Sequence, residues 1–291
     1  MRDQAAGLRR KAAATVPDRG VEPTGSAVFV VGSGKGGVGK SVLSVLLATA
    51  LRREGLRVLL FDGCQNQGNL HILLGVRQAA KLDALLAGAL TPEDLLLSIA
   101  DDLWLFPVGS GTESIQALTP TDRARLHLRL TGLFDDFDAV VVDAGSGFES
   151  TLRATMRATR LIVVAVPEPA SLCDAYALIK LVTLEAPFLP IDVLVNRVTG
   201  EEEARATFER LNLAAQRFLR RDLSYLGSVF EHDEVRRAVC EPGRLLLEAP
   251  SDVSAIARSL AERDIPKEGS QTSSLSTGGA SEQGCSSREE G

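Results

Sequence analysis

The sequence predicts an α/β fold in which helices cover both faces of a mostly parallel central sheet. Short runs of consecutive apolar residues, rich in valine and leucine, are typical of strands buried on both faces. Amphipathic stretches of helical periodicity separate these runs, and that alternation favours parallel strands joined by helices. A glycine-rich segment follows the first apolar run, at the edge of the sheet where α/β folds bind ligands.

The predicted elements follow one another from about residue 26. The first strand is residues 27–32, and the first helix is residues 40–55, which ends on basic residues and a glycine. Further strands are predicted at 57–62, 103–108, 139–143, 160–166 and 191–196, and further helices at 171–185, 201–221 and 251–264.

The length of 291 residues fits one large folded domain at residues 26–264, between two flexible ends. The arm at 1–25 carries five basic and three acidic residues, so it is slightly basic. The tail at 265–291 is rich in Gly, Ser and Glu, has almost nothing to bury, and is predicted to be disordered.

The composition excludes several classes of protein. A formal net charge of -6 disfavours a protein that coats nucleic acid, because such domains are usually strongly basic. No apolar run reaches the roughly 18 residues of a membrane span, and the charged first residues are unlike a signal peptide. The four cysteines form no CxxC pair, and most are expected to be small hydrophobes. We therefore expect a cytoplasmic protein.

The glycine-rich segment, GSGKGGVGKS at residues 32–41, lies between a predicted strand and a predicted helix, and its residues 34–41 match the phosphate-loop pattern G-x-x-x-x-G-K-S. Its backbone N–H groups and the helix N-terminus are expected to surround phosphate oxygens. Lys40 is expected to bridge the β- and γ-phosphates, and the Ser41 hydroxyl to bind Mg²⁺. The predicted binding residues are Gly34, Lys35, Gly36, Gly37, Val38, Gly39, Lys40 and Ser41.

A second lysine in the loop, Lys35, indicates which class of phosphate-loop protein the sequence resembles. KGGVGKS resembles the deviant Walker A motif of the MinD/ParA family of P-loop NTPases. The resemblance implies an ATP-sandwiched homodimer in which Lys35 reaches the partner's phosphates, so that Lys35 and Lys40 are both catalytic. A cation supplied across an interface makes dimerisation depend on the triphosphate.

Other segments extend the resemblance from about residue 26 to residue 264. The segments at 61–75 and 137–148 resemble the family's two acidic switch regions. VPEPASLCDAYALIK at 166–180 resembles the FlhG/FleN/YlxH branch, which regulates flagellar number.

The resemblance implies roles for particular residues. Asp143 corresponds to the Walker B carboxylate that holds Mg²⁺, and Asp62 helps to position the metal. Gly145 and Gly147 let the second switch approach the γ-phosphate. Asn196, followed by Arg197, stands where the family reads the adenine base.

One catalytic position departs from the family. The second acid of the family's D-x-D segment positions the attacking water, and Cys64 stands in its place here. A thiol is mostly neutral at pH 7 and accepts hydrogen bonds weakly. Since loss of a positioned base costs about 10²–10⁴ in rate, we expect slow or absent ATP hydrolysis. A non-hydrolysing ATP-binding scaffold of the same fold is the alternative.

The arm resembles a partner-binding segment of the same branch. DQAAGLRR at residues 3–10 is similar to the segment with which FlhG proteins engage the SRP-type GTPase FlhF. Gln4 and Leu8 are four residues apart and share one face of a helix, if one forms on the partner. The resemblance implies contacts from Asp3, Gln4, Leu8 and Arg9, and a relation to flagellar C-ring proteins.

Two further alternatives are a protein that binds membranes and a protein that binds DNA. In the segment 251–264, Val253, Ile256 and Leu260 share one face, which favours core packing over membrane binding. The acidic tail also disfavours anionic lipid, so only peripheral contact with the membrane or the flagellar base stays open. A DNA-partitioning ATPase of the ParA type needs a basic surface, which the net charge disfavours.

Overall fold

The computed structural model describes residues 25–63, 70–77, 82–107, 119, 121, 129–130, 132–145, 158–241 and 249–265. The strands are β1 (Ala27–Gly32), β2 (Val58–Asp62), β3 (Leu97–Ala100), β4 (Leu103–Phe106), β5 (Ala139–Asp143), β6 (Arg160–Ala165), β7 (Ile191–Val198) and β8 (Ser224–Phe230). The helices are α1 (Lys40–Arg53), α2 (Leu70–Leu73), α3 (Leu82–Leu86), α4 (Pro169–Glu185), α5 (Glu201–Leu219), α6 (Asp233–Cys240) and α7 (Ser251–Asp264), with 3₁₀ turns at Pro92–Leu95 and Leu133–Asp136.

These strands form one sheet in the order β3-β4-β2-β5-β1-β6-β7-β8. Every neighbouring pair is parallel except β3 and β4, which are antiparallel. The predicted mostly parallel sheet is therefore confirmed. The carboxyl ends of β2, β5, β1, β6 and β7 lie at the same edge of the sheet.

Helices cover both faces of this sheet, as predicted. On one face, α1 and α7 pack together through buried side chains that include Leu46 and Leu260. On the other face, α4 packs beside α5, with Leu178 and Leu211 in a second apolar cluster. The strands supply side chains to both clusters, which explains why their sequences are continuously apolar.

The predicted elements agree with the structure to within a few residues. The strands at 27–32 and 139–143 and the helix at 251–264 have the predicted bounds. Val253, Ile256 and Leu260 are buried, so α7 packs on the core as expected.

Five helices and strands of the described chain were not predicted: α2, α3, β3, β8 and α6. The edge strand β8 mixes exposed and buried positions and contains Gly227, whose φ is +148°. The helix α6 has only eight residues and none is fully buried, although Val235 and Ala238 pack partly buried against the core. A segment this short gives a weak basis for predicting a helix from periodicity.

Most of the cysteines were expected to act as small hydrophobes, and the structure shows that Cys173 and Cys240 are free and exposed. Both lie on solvent-facing sides of helices, Cys173 on α4 and Cys240 on α6, so helix orientation decides their exposure. Cys64 and Cys285 lie outside the described residues, as do the predicted arm at 1–24 and the tail from residue 266.

A buried ion-pair cluster joins α7 to the amino ends of β6 and β7. The Arg160 guanidinium donates two hydrogen bonds of 2.8 Å to the Asp264 carboxylate and one of 3.1 Å to Asp192. Arg263 donates to the other oxygen of Asp192 at 3.2 Å. Asp192 is fully buried, and its carboxylate forms ion pairs with two guanidinium groups.

Candidate functional site

The glycine-rich loop connects β1 to α1 at the carboxyl edge of the sheet. Gly37 and Gly39 adopt φ of +81° and +95°, which is the left-handed region that glycine enters without strain. Gly39 immediately precedes α1, so the loop leads directly into a helix N-terminus. This is the geometry in which backbone N–H groups bind anions.

The Lys40 side chain lies against the loop. Its ammonium donates a hydrogen bond of 2.9 Å to the Ser33 hydroxyl, and that hydroxyl donates one of 2.5 Å to the Lys35 carbonyl. Lys40 is only 7 % exposed, and Ser33 is fully enclosed. The structure therefore places a buried cation at the loop.

The two predicted acidic residues meet at the ends of neighbouring strands. Asp62 on β2 pairs in register with Asp143 on β5, and both are buried. Burial raises the pKa of Asp143, whereas a hydrogen bond from Ser41, the charge of Lys40 and a hydrogen bond from Ser44 lower it. Ser41, Asp62 and Asp143 supply the hydroxyl and carboxylate oxygens that Mg²⁺ prefers, so the donor set fits this ion.

The second loop lysine is held within the chain. The Lys35 ammonium lies 2.9 Å from a Glu168 carboxylate oxygen, just before α4. The hydrogen bond and charge of Lys35 lower the pKa of Glu168, to which the charge of Arg197 also contributes. Both side chains of this pair are substantially exposed, so the contact is open to solvent.

The amino-terminal half of the loop packs directly on α4. A Cβ atom added at Gly34 meets the Asp174 carbonyl oxygen at 2.0 Å, which no side chain tolerates. Glycine is therefore required at position 34 by the packing of the loop on a helix, in addition to the phosphate-loop pattern.

Asn196 reaches the loop from the end of β7. Its side-chain Nδ2 donates a hydrogen bond of 2.8 Å to the Val38 carbonyl, and the residue is buried. The neighbouring Arg197 is exposed and adopts a left-handed φ of +56°. The structure thus brings Asn196 to the predicted site through a contact that sequence reasoning did not include.

Several groups around the site were missed from the sequence. Ser33 and Ser44 flank the motif but occupy none of its defining positions, and Glu168 and Asp174 act through contacts that no local pattern encodes. The Ser44 hydroxyl lies 3.5 Å from an Asp143 oxygen. Among the predicted residues, Gly145 follows β5, whereas Cys64 and Gly147 lie outside the described residues.

Among the described parts of the chain, none of the helices combines the length and the apolar character that crossing a membrane requires.

Comparison with known proteins agrees with this geometry. Residues 29–244 match the family model of the CobQ/CobB/MinD/ParA nucleotide-binding domain. The antiactivator FleN of Pseudomonas aeruginosa is 35% identical over 213 residues, which cover 73% of this chain and 76% of FleN. The flagellum site-determining protein YlxH of Helicobacter pylori is 31% identical over 259 residues, which cover 84% of this chain and 87% of YlxH.

A solved structure of the same fold is the septum site-determining protein MinD of Pyrococcus horikoshii in complex with Mg-ADP. It matches with a TM-score of 0.65 and 22% identity, over 81% of this chain and 96% of that protein. Together with the glycine-rich loop and the paired aspartates, the matches lead to one conclusion: the chain belongs to the CobQ/CobB/MinD/ParA nucleotide-binding domain family, and within it resembles FleN and YlxH.

Proposed function

We propose that this protein is an ATP-dependent dimerisation switch that regulates the number or placement of flagella. The observation that carries the proposal is 31% identity with the flagellum site-determining protein YlxH across 84% of this chain and 87% of that protein. The likeness spans the nucleotide-binding core rather than a single motif. The proposal places the protein in the cytoplasm, with peripheral contact at the flagellar base.

The site geometry supports ATP with Mg²⁺ as the ligand. Lys40 and the loop amides bind the phosphates, and Ser41, Asp62 and Asp143 hold the ion, which screens the charge of the phosphate oxygens. Asn196 and Arg197, near the carboxyl end of β7, are proposed to contact the base. The related MinD of P. horikoshii has been solved with Mg-ADP, which is consistent with this assignment.

Lys35 supports the dimerisation part of the proposal. A phosphate loop needs one lysine for its own phosphates, and Lys35 is a second cation that is exposed at the rim of the site. In the proposed dimer, Lys35 leaves Glu168 and binds the partner's triphosphate. The exchange replaces a solvent-exposed ion pair, which contributes little, with charge-assisted bonds to phosphate.

Cys64 supports slow turnover. A carboxylate that positions the attacking water is absent from that position, so the ATP-bound dimer is expected to persist. The same substitution favours a second candidate function, a non-hydrolysing scaffold that keeps ATP as a structural ligand. The two candidates differ only in turnover.

The first experiment measures oligomeric state by light scattering with Mg-ADP and with Mg-ATP, alongside phosphate release. Dimers with ATP and monomers with ADP are expected, with slow phosphate release. A protein that stays monomeric with ATP contradicts the dimerisation switch. Dimers without any phosphate release assign the scaffold function.

A variant tests the role of position 64. Cys64→Asp restores the acid and is expected to raise turnover about 10²-fold or more. Cys240→Asp is the matched control, because it makes the same change at an exposed residue of α6. Wild-type turnover equal to or faster than that of Cys64→Asp contradicts slow hydrolysis.

The arm is proposed to bind an FlhF-like SRP-type GTPase through Asp3, Gln4, Leu8 and Arg9. A pull-down with the GTPase from the same organism is expected to fail after deletion of residues 1–11 and after Gln4→Ala with Leu8→Ala. Unchanged capture by these variants contradicts the arm assignment. C-ring proteins serve as separate bait in the same assay.

A further inference from the structure

We propose that Asn196 is a positioning residue of the phosphate loop, so that the same side chain at the base end of the site also controls phosphate binding. The inference rests on the proposed binding of ATP, and it adds a function beyond contact with the base. Its basis is the 2.8 Å hydrogen bond from Asn196 Nδ2 to the Val38 carbonyl.

This hydrogen bond is made to the part of the loop whose backbone has the greatest conformational freedom. Val38 lies between Gly37 and Gly39, both with left-handed φ, so the flanking backbone is free to adopt many conformations when unrestrained. The Val38 side chain is buried in the core, and its carbonyl is held by Asn196. The peptide is thus restrained from both sides.

Gly39 shows that this contact is closely packed. A Cβ atom added at Gly39 lies 2.5 Å from Asn196 Nδ2, so only glycine allows the amide to approach the loop this closely. The side chain and the loop are therefore fitted to each other.

The end of β7 delivers Asn196 from a rigid element. Asn196 pairs with Val229 and Val198 with Phe230 on β8, while Arg197 between them adopts φ of +56° and interrupts the register. Strained backbone of this kind persists where the surrounding structure determines it, and here it directs a buried amide at the loop. A residue on a packed strand positions its side chain more accurately than one on a loop.

The chemistry of the amide allows both functions at once. Asparagine has two N–H donors and one carbonyl oxygen, and the bond to Val38 uses one donor. The second donor and the oxygen match the donor–acceptor edge of adenine. Asn196 therefore connects the base end of the site to the phosphate end, and its loss weakens phosphate binding even when no base is present.

Amide hydrogen exchange of the nucleotide-free protein tests the restraint. Exchange in peptides covering residues 36–41 is expected to be about 5- to 20-fold faster in Asn196→Ala and in the isosteric Asn196→Asp, because each loses one buried hydrogen bond. Asn212→Ala is the matched control, since Asn212 lies on α5, outside the loop, and its side-chain oxygen accepts a hydrogen bond from the Leu223 backbone N–H. Unchanged exchange in both Asn196 variants would overturn the proposal.

Competition against fluorescent ADP then compares ligands with and without a base. Magnesium tripolyphosphate and ADP are both expected to lose affinity by about 5- to 20-fold in Asn196→Ala, with the melting temperature of the free protein near that of Asn212→Ala. A loss for ADP alone assigns Asn196 to the base only and overturns the proposal. If wild-type protein binds neither ATP nor ADP, the proposed function fails, and hydrogen exchange still decides the restraint.

Discussion

Buried aspartates lie at the amino ends of some strands of the sheet and at the carboxyl ends of others, and the surroundings of the two groups differ. At the amino ends of β6 and β7, Asp192 receives two guanidinium groups, from Arg160 and Arg263. At the carboxyl ends of β2 and β5, Asp143 has a neighbouring carboxylate, two serine hydroxyls and the charge of one lysine. Burial raises the pKa of both carboxyl groups, so in both places ionisation depends on nearby cations.

The difference separates a structural cluster from a binding site. The charge of Asp192 is matched by two arginines, which leaves no need for an added ion. Around Asp143 the groups that lower its pKa are two serine hydroxyls and the charge of Lys40, and the oxygens of this site suit a hard divalent cation. We therefore expect mutations in the ion-pair cluster around Asp192 to change stability, and mutations in the site around Asp143 to change ligand binding.

The largest effect on stability is expected from Arg160→Met. The variant leaves the buried Asp192 and the partly buried Asp264 without their shared partner, which costs about 3 kcal/mol in the free energy of unfolding. Urea denaturation measures this loss, and ADP affinity is expected to stay unchanged. Arg258→Met is the matched control, because Arg258 pairs with Glu54 at the surface and contributes less than about 1 kcal/mol. Equal losses in the two variants contradict the comparison.

Asp143→Asn is expected to produce the opposite result. Its amide removes a carboxylate whose ionisation burial disfavours, so the free energy of unfolding stays equal or rises. Mg²⁺-dependent ATP affinity is expected to fall by about tenfold or more, since the ion loses an anionic ligand. Titration of ATP with and without Mg²⁺ measures this. Destabilisation comparable to that of Arg160→Met identifies Asp143 as a structural residue instead.

Ser44→Ala is expected to have a smaller effect. The Ser44 hydroxyl lies 3.5 Å from Asp143 and bonds the Lys40 carbonyl at 3.0 Å, so its removal raises the half-saturating Mg²⁺ concentration about threefold. Thr49→Val removes the same type of hydroxyl-to-carbonyl bond elsewhere on α1 and serves as the control. An equal shift in both variants attributes the effect to helix α1 rather than to Asp143.

The smallest effect is expected from Glu168→Gln, which releases Lys35 from an exposed ion pair. The ATP concentration that gives half-maximal dimerisation is then expected to fall, by a factor below about three, and the melting temperature to stay unchanged. Lys35 lowers the pKa of Glu168. The Glu168 carboxylate of the wild type is therefore protonated only at pH values below the ordinary pKa of a glutamate. The difference between variant and wild type is therefore expected to be the same between about pH 6 and pH 8. A difference that changes across this range contradicts the assignment to Glu168.

The sequence was most informative where function depends on consecutive residues. The loop at 32–41, its position between a strand and a helix, and Asp143 at a strand end were predicted from local pattern and are found there. The edge strand β8 and the short helix α6 were missed, because β8 mixes exposed and buried positions and the apolar residues of α6 are at most partly buried, so both leave a weak pattern. The exposure of Cys173 likewise depends on the orientation of α4 and not on a local pattern.

Two kinds of information thus come from different levels of the molecule. The sequence alone determined the phosphate loop, the alternation of strands and helices, and the family, because glycine conformation and hydrophobic periodicity are local properties. The tertiary structure alone decided which groups complete the site. Glu168 reaches Lys35 across 133 residues of chain, and Asn196 reaches Val38 across 158. Parallel pairing brings the carboxyl ends of β5, β1, β6 and β7 to one edge, and no local pattern encodes the contacts made there.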